Sequence, residues 1–201
     1  MSAPKHPKGI FCLEGDWWGI KDQTTVEPAL ELLSKYYANT PPVPSPFYIH
    51  KDIGTIEEFE YYLKKWCLNK HSKYSILYLG FHGDPSVLYV GEKKKLTLDE
   101  LELLLEGKCK NRFIHFGSCS TLLENGNKLN RFIRNTGVEG VCGYCRDVDW
   151  VTSAAFEILL LSELQDCSFH LKSLKKFKER FIKDHSQLVK ELEFRMVLRR
   201  S

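Results

Sequence analysis

Two apolar runs, each stopped by glycine or other small residues, constrain this chain more than any other feature. Ser75-Ile76-Leu77-Tyr78-Leu79-Gly80-Phe81-His82-Gly83 and Arg112-Phe113-Ile114-His115-Phe116-Gly117-Ser118-Cys119-Ser120-Thr121 read as buried strands. They set an imidazole, His82, and a thiol, Cys119, at matching strand ends. In a parallel sheet such ends open on one edge, where ligands and catalytic groups gather. A Cys/His pair brought together there is a nucleophile with its base.

The rest of the chain alternates strand and helix around these runs. Residues 9–13 form a first apolar run ending in the turn-prone Glu14-Gly15-Asp16. Leu30, Leu33 and Tyr37 recur at helical spacing over 26–37, with Pro28 in the first turn. A stiff Pro-rich loop over 41–46 leads to a second strand at 47–50. Thr55 and Glu58 form a capping box that opens a helix through Phe59, Tyr62, Leu63 and Trp66. After the His82 strand come a short ribbon, 87–90 with 95–98, and a brief helix over 99–106 stopped by Gly107. The Cys119 strand leads into a helix over about 122–135, a fifth strand at 138–144 and a helix over 150–164. Two amphipathic helices are expected at 171–182 and 186–199. This alternation predicts a parallel sheet covered on both faces.

At 201 residues and 43% hydrophobic content, the chain can bury a core and is expected to form one domain over 1–201. The formal net charge of +3 is small, but from His170 to Ser201 ten Lys and Arg face four acidic residues. That basic face reads as solvated, with an anionic partner as the functional alternative; it lacks the aromatic interleaving of a nucleic-acid surface. Seven cysteines without framework spacing, and no apolar leader, suggest a reduced, cytoplasmic protein. The longest apolar stretch, 156–164, is interrupted by Glu157 and Glu163 and is far shorter than the roughly 20 residues that span a bilayer.

Cys119 precedes a helix expected to begin near Thr121, where free N–H groups and the macrodipole favour thiolate. A glycine after His82 allows close backbone approach and offers an N–H to a developing oxyanion. Taken singly, a cysteine commonly packs and a strand-end histidine is commonly satisfied by a loop. Together, 37 residues apart and one strand-helix-strand step, they favour catalysis. Cys142-Gly143-Tyr144-Cys145 is a lone CxxC whose thiols point to opposite faces of a strand. His115 shares the parity of Cys119 or is a core histidine bonded to backbone. Cys12, Cys67, Cys109 and Cys167 are read as packing residues, and Trp17-Trp18 as a cleft wall or a loop anchor.

An apolar run ending in His-Gly, then one ending in small-Cys, within a βαβ chain resembles the caspase-like cysteine peptidases. The closest likeness is to the CHAT group: Ser118-Cys119-Ser120-Thr121 is similar to its nucleophile segment, and Arg146-Asp147-Val148-Asp149 more weakly to its segment after the next strand. The resemblance covers residues 9–164. It implies a three-layer αβα sandwich around a mostly parallel sheet, and a cysteine endopeptidase that needs no metal or organic cofactor. Cys119 would attack a peptide carbonyl, His82 would protonate the leaving amine, and the N–H groups of Gly83 and Cys119 would form the oxyanion hole. Members that cleave after Lys or Arg often carry Asp two residues before the nucleophile, where this chain has Gly117; Asp147 and Asp149 could supply that charge, or could cap the following helix. The resemblance further implies a protein or peptide substrate and a bacterial effector role, while the small size suggests a substrate or activator encoded separately. Two other classes compete: an inactive binding module using the same cleft, and a flavodoxin-like nucleotide binder. The latter is disfavoured by the acidic, bulky Glu14-Gly15-Asp16-Trp17-Trp18 after strand one.

Overall fold

The computed structural model describes residues 7–19, 21, 23–38, 46–91, 94–124 and 126–200. Residues 41–45 of the Pro-rich loop, and the side chain of Tyr37, lie outside that description. The central strands are apolar on both faces because each face is covered. β1 (Ile10–Gly15), β3 (Ile76–Gly80), β7 (Phe113–Gly117) and β8 (Gly140–Tyr144) are buried almost throughout. Strand alternation sends Phe11, Leu77, Leu79, Ile114 and Val141 to one apolar cluster. Ile10, Ile76, Tyr78, Phe113 and Tyr144 go to the other.

With β2 (Tyr48–Ile53) and β9 (Phe194–Leu198), these strands form a six-stranded sheet in the order β2-β1-β3-β7-β8-β9. All pairs are parallel except β8 with β9. On one face lie α2 (Ile56–Cys67), α3 (Leu98–Leu105) and α4 (Gly126–Thr136), anchored by residues such as Phe59, Trp66, Leu101 and Phe132. On the other lie α1 (Glu27–Ala38), α5 (Trp150–Gln165) and α6 (Leu171–Asp184), anchored by Leu30, Phe156, Leu160 and Phe181. The architecture is therefore a three-layer αβα sandwich around a mostly parallel sheet. A separate antiparallel ribbon, β4 (His82–Asp84), β5 (Val87–Val90) and β6 (Lys94–Thr97), leaves the sheet after β3.

Local chemistry explains most boundaries. Thr55 accepts from the Glu58 N–H at 3.2 Å while Glu58 accepts from the Thr55 N–H at 3.2 Å, closing the expected capping box. Thr97 and Glu100 repeat it at the start of α3, and Gly107 after that helix takes φ +67°.

The C-terminal segment departs from expectation. Spacing of Leu188, Leu192 and Met196 suggests helix to Arg199, but α7 (Ser186–Glu191) ends early, Glu193 sits at φ +44°, and β9 follows. Phe194 and Met196 alternate into the core while the backbone pairs with β8, Cys142 opposite Met196. Pairing with an otherwise open sheet edge overrides the local helical period. The Phe194 ring lies 4.9 Å from that of Phe156 and 6.1 Å from that of Phe181. Phe194→Ala is accordingly expected to destabilise the protein by about 3–5 kcal/mol in urea unfolding; a loss below about 1 kcal/mol would mean that β9 is not docked.

Candidate active site

Strand register brings His82 and Cys119 to one place. β3 and β7 pair with Gly80 opposite Gly117, so the two residues each stand two positions beyond level strand ends. His82 opens β4 rather than ending β3. The close approach is enforced by Gly83: a Cβ there would sit 2.5 Å from the Cys119 carbonyl oxygen and 2.3 Å from Thr121 Oγ1. Only glycine lets the backbone after His82 lie on the turn that carries Cys119.

That turn is tied to the end of β8. Ser120 sits at φ +55°, its N–H donates to the Arg146 carbonyl at 3.0 Å, and its hydroxyl donates to Asp147 at 2.9 Å. Leu122 N–H donates to the Tyr144 carbonyl at 3.0 Å. These bonds hold residues 118–122 in a turn, and α4 begins only at Gly126. The helix N-terminus expected beside Cys119 is therefore absent. Burial pushes the Cys119 thiol above its ordinary range, an N–H from Val148 pulls it down, and the Asp147 charge pushes it up; the net direction is upward. The Cys119 backbone N–H donates to no group among the described residues.

His82 is oriented by backbone. Its Nε2 bonds to the Trp17 carbonyl, and a carbonyl can only accept, so Nε2 carries a proton and Nδ1 is left to take or give one. The ring sits between the indoles of Trp17 and Trp18, at 5.3 and 5.1 Å. No hydrogen bond joins His82 to Cys119. Trp17 is itself fixed by Glu14, a 2% exposed carboxylate that accepts from Trp17 Nε1 at 2.6 Å, Thr25 Oγ1 at 2.7 Å, Val26 N–H at 2.9 Å and His50 Nε2 at 2.6 Å. Glu14, His50 and Asp52 offer ligand atoms within 4.8 Å of one another. Both Glu14 oxygens are already occupied by these donors, so the cluster acts as a brace for the β1–α1 loop.

Between these groups lies a cavity of about 120 Å³, lined by Trp17, Trp18, His82, Cys119, Trp150 and Glu157 among others. Gly117 borders it too, and a Cβ there would meet the Tyr78 hydroxyl at 2.6 Å. Of the residues singled out in the sequence, the structure brings together His82, Gly83, Cys119, Gly117 and Trp17. It does not bring in Asp147, which is exposed and bonded to Ser120, or Asp149, which caps α5 by accepting from the Thr152 N–H at 2.9 Å. Neither lines the cavity. Cys142 and Cys145 fall in opposite apolar clusters, as strand parity requires. His115 is a buried core histidine, but its partners are side chains, Glu157 at 3.0 Å and Cys142 at 3.3 Å.

Sequence reasoning missed Glu157 and Glu14. A signal for Glu157 existed, as a carboxylate within an otherwise apolar helix. Glu14 looked like part of a turn, and nothing local marks it as a hub.

Fold and cavity together define an αβα protein with a thiol and an imidazole facing one strand-edge cavity. The chain belongs to DUF6642, a family of unknown function whose model matches residues 7–198. No curated protein matches it.

Two measurements test this description. Iodoacetamide alkylation of Cys119 is expected to be slower at pH 7 than that of an ordinary exposed thiol, which titrates near about 8.5, and to accelerate only at higher pH; rapid alkylation at pH 7 would show a thiolate that this environment does not supply. For His50, burial disfavours the charged ring, but Glu14, with Asp52 and Glu27, outweighs it and raises the pKa above 6.5. A raised histidine stabilises the fold fully below its unfolded value and loses that contribution as pH rises through the folded one. The stability gap between wild type and His50→Gln should therefore be widest at pH 5.5–6 and narrow toward about pH 9; a gap that widens with pH contradicts the assignment.

Proposed function

We propose that this protein is a cysteine endopeptidase of the caspase-like kind, closest to the CHAT group, with Cys119 as nucleophile and His82 as the proton carrier. The observation that carries the reading is the shared cavity in which Cys119 stands beside an imidazole whose Nε2–H is tied to the Trp17 carbonyl. Such a third group fixes the tautomer of the base, as nucleophilic catalysis requires. Cys119 Sγ attacks the scissile carbonyl carbon as the thiol proton passes to His82 Nδ1. The oxyanion is received by the N–H groups of Gly83 and Cys119, a role supported by the Cys119 N–H donating to no group among the described residues. Collapse breaks the C–N bond, with the proton delivered from His82 to the leaving amine. Water then adds to the acyl carbon, gives its proton to His82 and frees the acid, and the thiol is restored.

With the thiol pushed upward, its proton passes to His82 Nδ1 as the substrate carbonyl is attacked. The seven cysteines are free thiols, which fits action in the reducing cytoplasm. No helix among the described residues is long and apolar enough to cross a membrane. The substrate is a protein or peptide, and the resemblance points to a bacterial effector setting.

A second reading, an inactive binding module that holds a peptide in the same cavity, is favoured by the missing His82–Cys119 hydrogen bond and the raised thiol. Incubation of the full chain with a proteome-derived peptide library separates the two. The peptidase reading expects cleavage that is abolished in Cys119→Ala and reduced roughly 10²–10⁴-fold in His82→Ala. Cleavage that survives Cys119→Ala contradicts it, and peptide binding without cleavage selects the module.

A further inference from the structure

The floor of the cavity is a buried carboxylate with no Lys or Arg among the described residues paired to it. Glu157 is 6% exposed. Its Oε1 accepts from His115 Nε2 at 3.0 Å and from the Tyr144 hydroxyl at 2.9 Å, and its Oε2 accepts from the Tyr78 hydroxyl at 2.5 Å. The surroundings of the two phenols and of the neighbouring Cys142 keep them protonated: burial, reinforced by the Glu157 charge, pushes all three well upward. His115 is held between Cys142 and Glu157, its Nδ1 3.3 Å from Cys142 Sγ and its Nε2 donating to Glu157. The carboxylate thus receives three hydrogen bonds, two from phenols and one from His115. No Lys or Arg among the described residues lies in ion-pair reach of it or lines the cavity.

A buried carboxylate that borders a cavity and has no Lys or Arg partner is costly for a fold, and a cationic ligand entering the cavity would complete it. A carboxylate offers about four lone-pair sites, so Oε2, with one donor, retains capacity to accept. The walls suit an organic cation: Trp17 and Trp150 meet edge to face at 4.6 Å, and Tyr78 and Tyr144 complete the lining. Gly117 makes room for this arrangement, since any Cβ there would displace the Tyr78 phenol that reaches Glu157. The acidic group that sequence reasoning sought at position 117, or at Asp147 or Asp149, comes instead from α5.

We propose that the Glu157-floored cavity is a binding pocket for a guanidinium or ammonium side chain, and, resting on the peptidase reading above, that it selects Arg or Lys immediately before the scissile bond. The planar guanidinium, which stacks on aromatic faces as well as pairing with carboxylate, is the better fit of the two.

The test uses the full chain and two isosteric probes, n-butylguanidinium and uncharged n-butylurea. Each is titrated while tryptophan fluorescence and protection of Cys119 from alkylation are read. The expected result is at least roughly tenfold tighter binding of the guanidinium by the wild type, with the preference falling to within about twofold in Glu157→Gln. Equal binding of the two probes by the wild type, or binding of neither, overturns the pocket whatever the folding of the variant. The peptide library then separates the two claims. Cleavage confined to sites after Arg or Lys supports both, and cleavage after other residues overturns the specificity while leaving the peptidase. Selective guanidinium binding without any cleavage sustains the cation site and removes the peptidase.

Discussion

The level, parallel pairing of β3 with β7 is the constraint on which the rest of the site depends. Because Gly80 and Gly117 stand opposite one another, the chain leaves both strands at the same height and the two segments beyond must share one small region. Close packing there is possible because Gly83 has no side chain to collide with the Cys119 carbonyl and Thr121. The pairing is in turn secured by burial on both faces, with Leu77, Leu79, Ile114 and Phe116 on one side and Ile76, Tyr78 and Phe113 on the other. A one-residue slip would exchange these sets and separate the imidazole from the thiol.

Two buried carboxylates organise what surrounds that junction. Glu14 gathers four donors from the β1–α1 loop and β2, and so fixes the Trp17 carbonyl that orients His82. Glu157 gathers Tyr78 from β3, His115 from β7 and Tyr144 from β8, tying α5 to three central strands. Each is satisfied by several hydrogen bonds, the condition for keeping a carboxylate inside. Each has a histidine beside it, His50 for Glu14 and His115 for Glu157, but of the two only Glu157 borders the cavity that Cys119 and His82 line.

The sequence made the layer order, the two central strands and the His82–Gly83–Cys119 grouping legible, because doubly buried strands are continuous apolar runs and their terminators are glycines. It misled where a non-local partner decides. Residues 194–198 carry a spacing that suits helix, yet the open edge of β8 captures them as a strand. Residues 120–124 follow a strand without a Pro or Gly break, yet bonds to Arg146, Asp147 and Tyr144 hold 120–122 as a turn. The expected thiolate depended on that helix start and fell with it. Asp147 and Asp149 attracted attention as nearby charges, but Ser120 and the α5 cap account for them. Glu157 lies 38 residues beyond Cys119 in the chain and reaches the cavity only through the packing of α5.

The central claim is that Cys119 is a nucleophile served by His82, and labelling by a mixed library of peptidyl acyloxymethyl ketones tests it most directly. In such reagents a positioned thiolate ends bonded to the methylene carbon beside the ketone and the carboxylate leaves, so site mapping by mass spectrometry reports on the geometry rather than on exposure. The account predicts that Cys119 alone among the seven cysteines is labelled, and that the rate falls sharply in His82→Ala. No labelling of Cys119, or labelling spread over the accessible thiols and indifferent to His82, would contradict it.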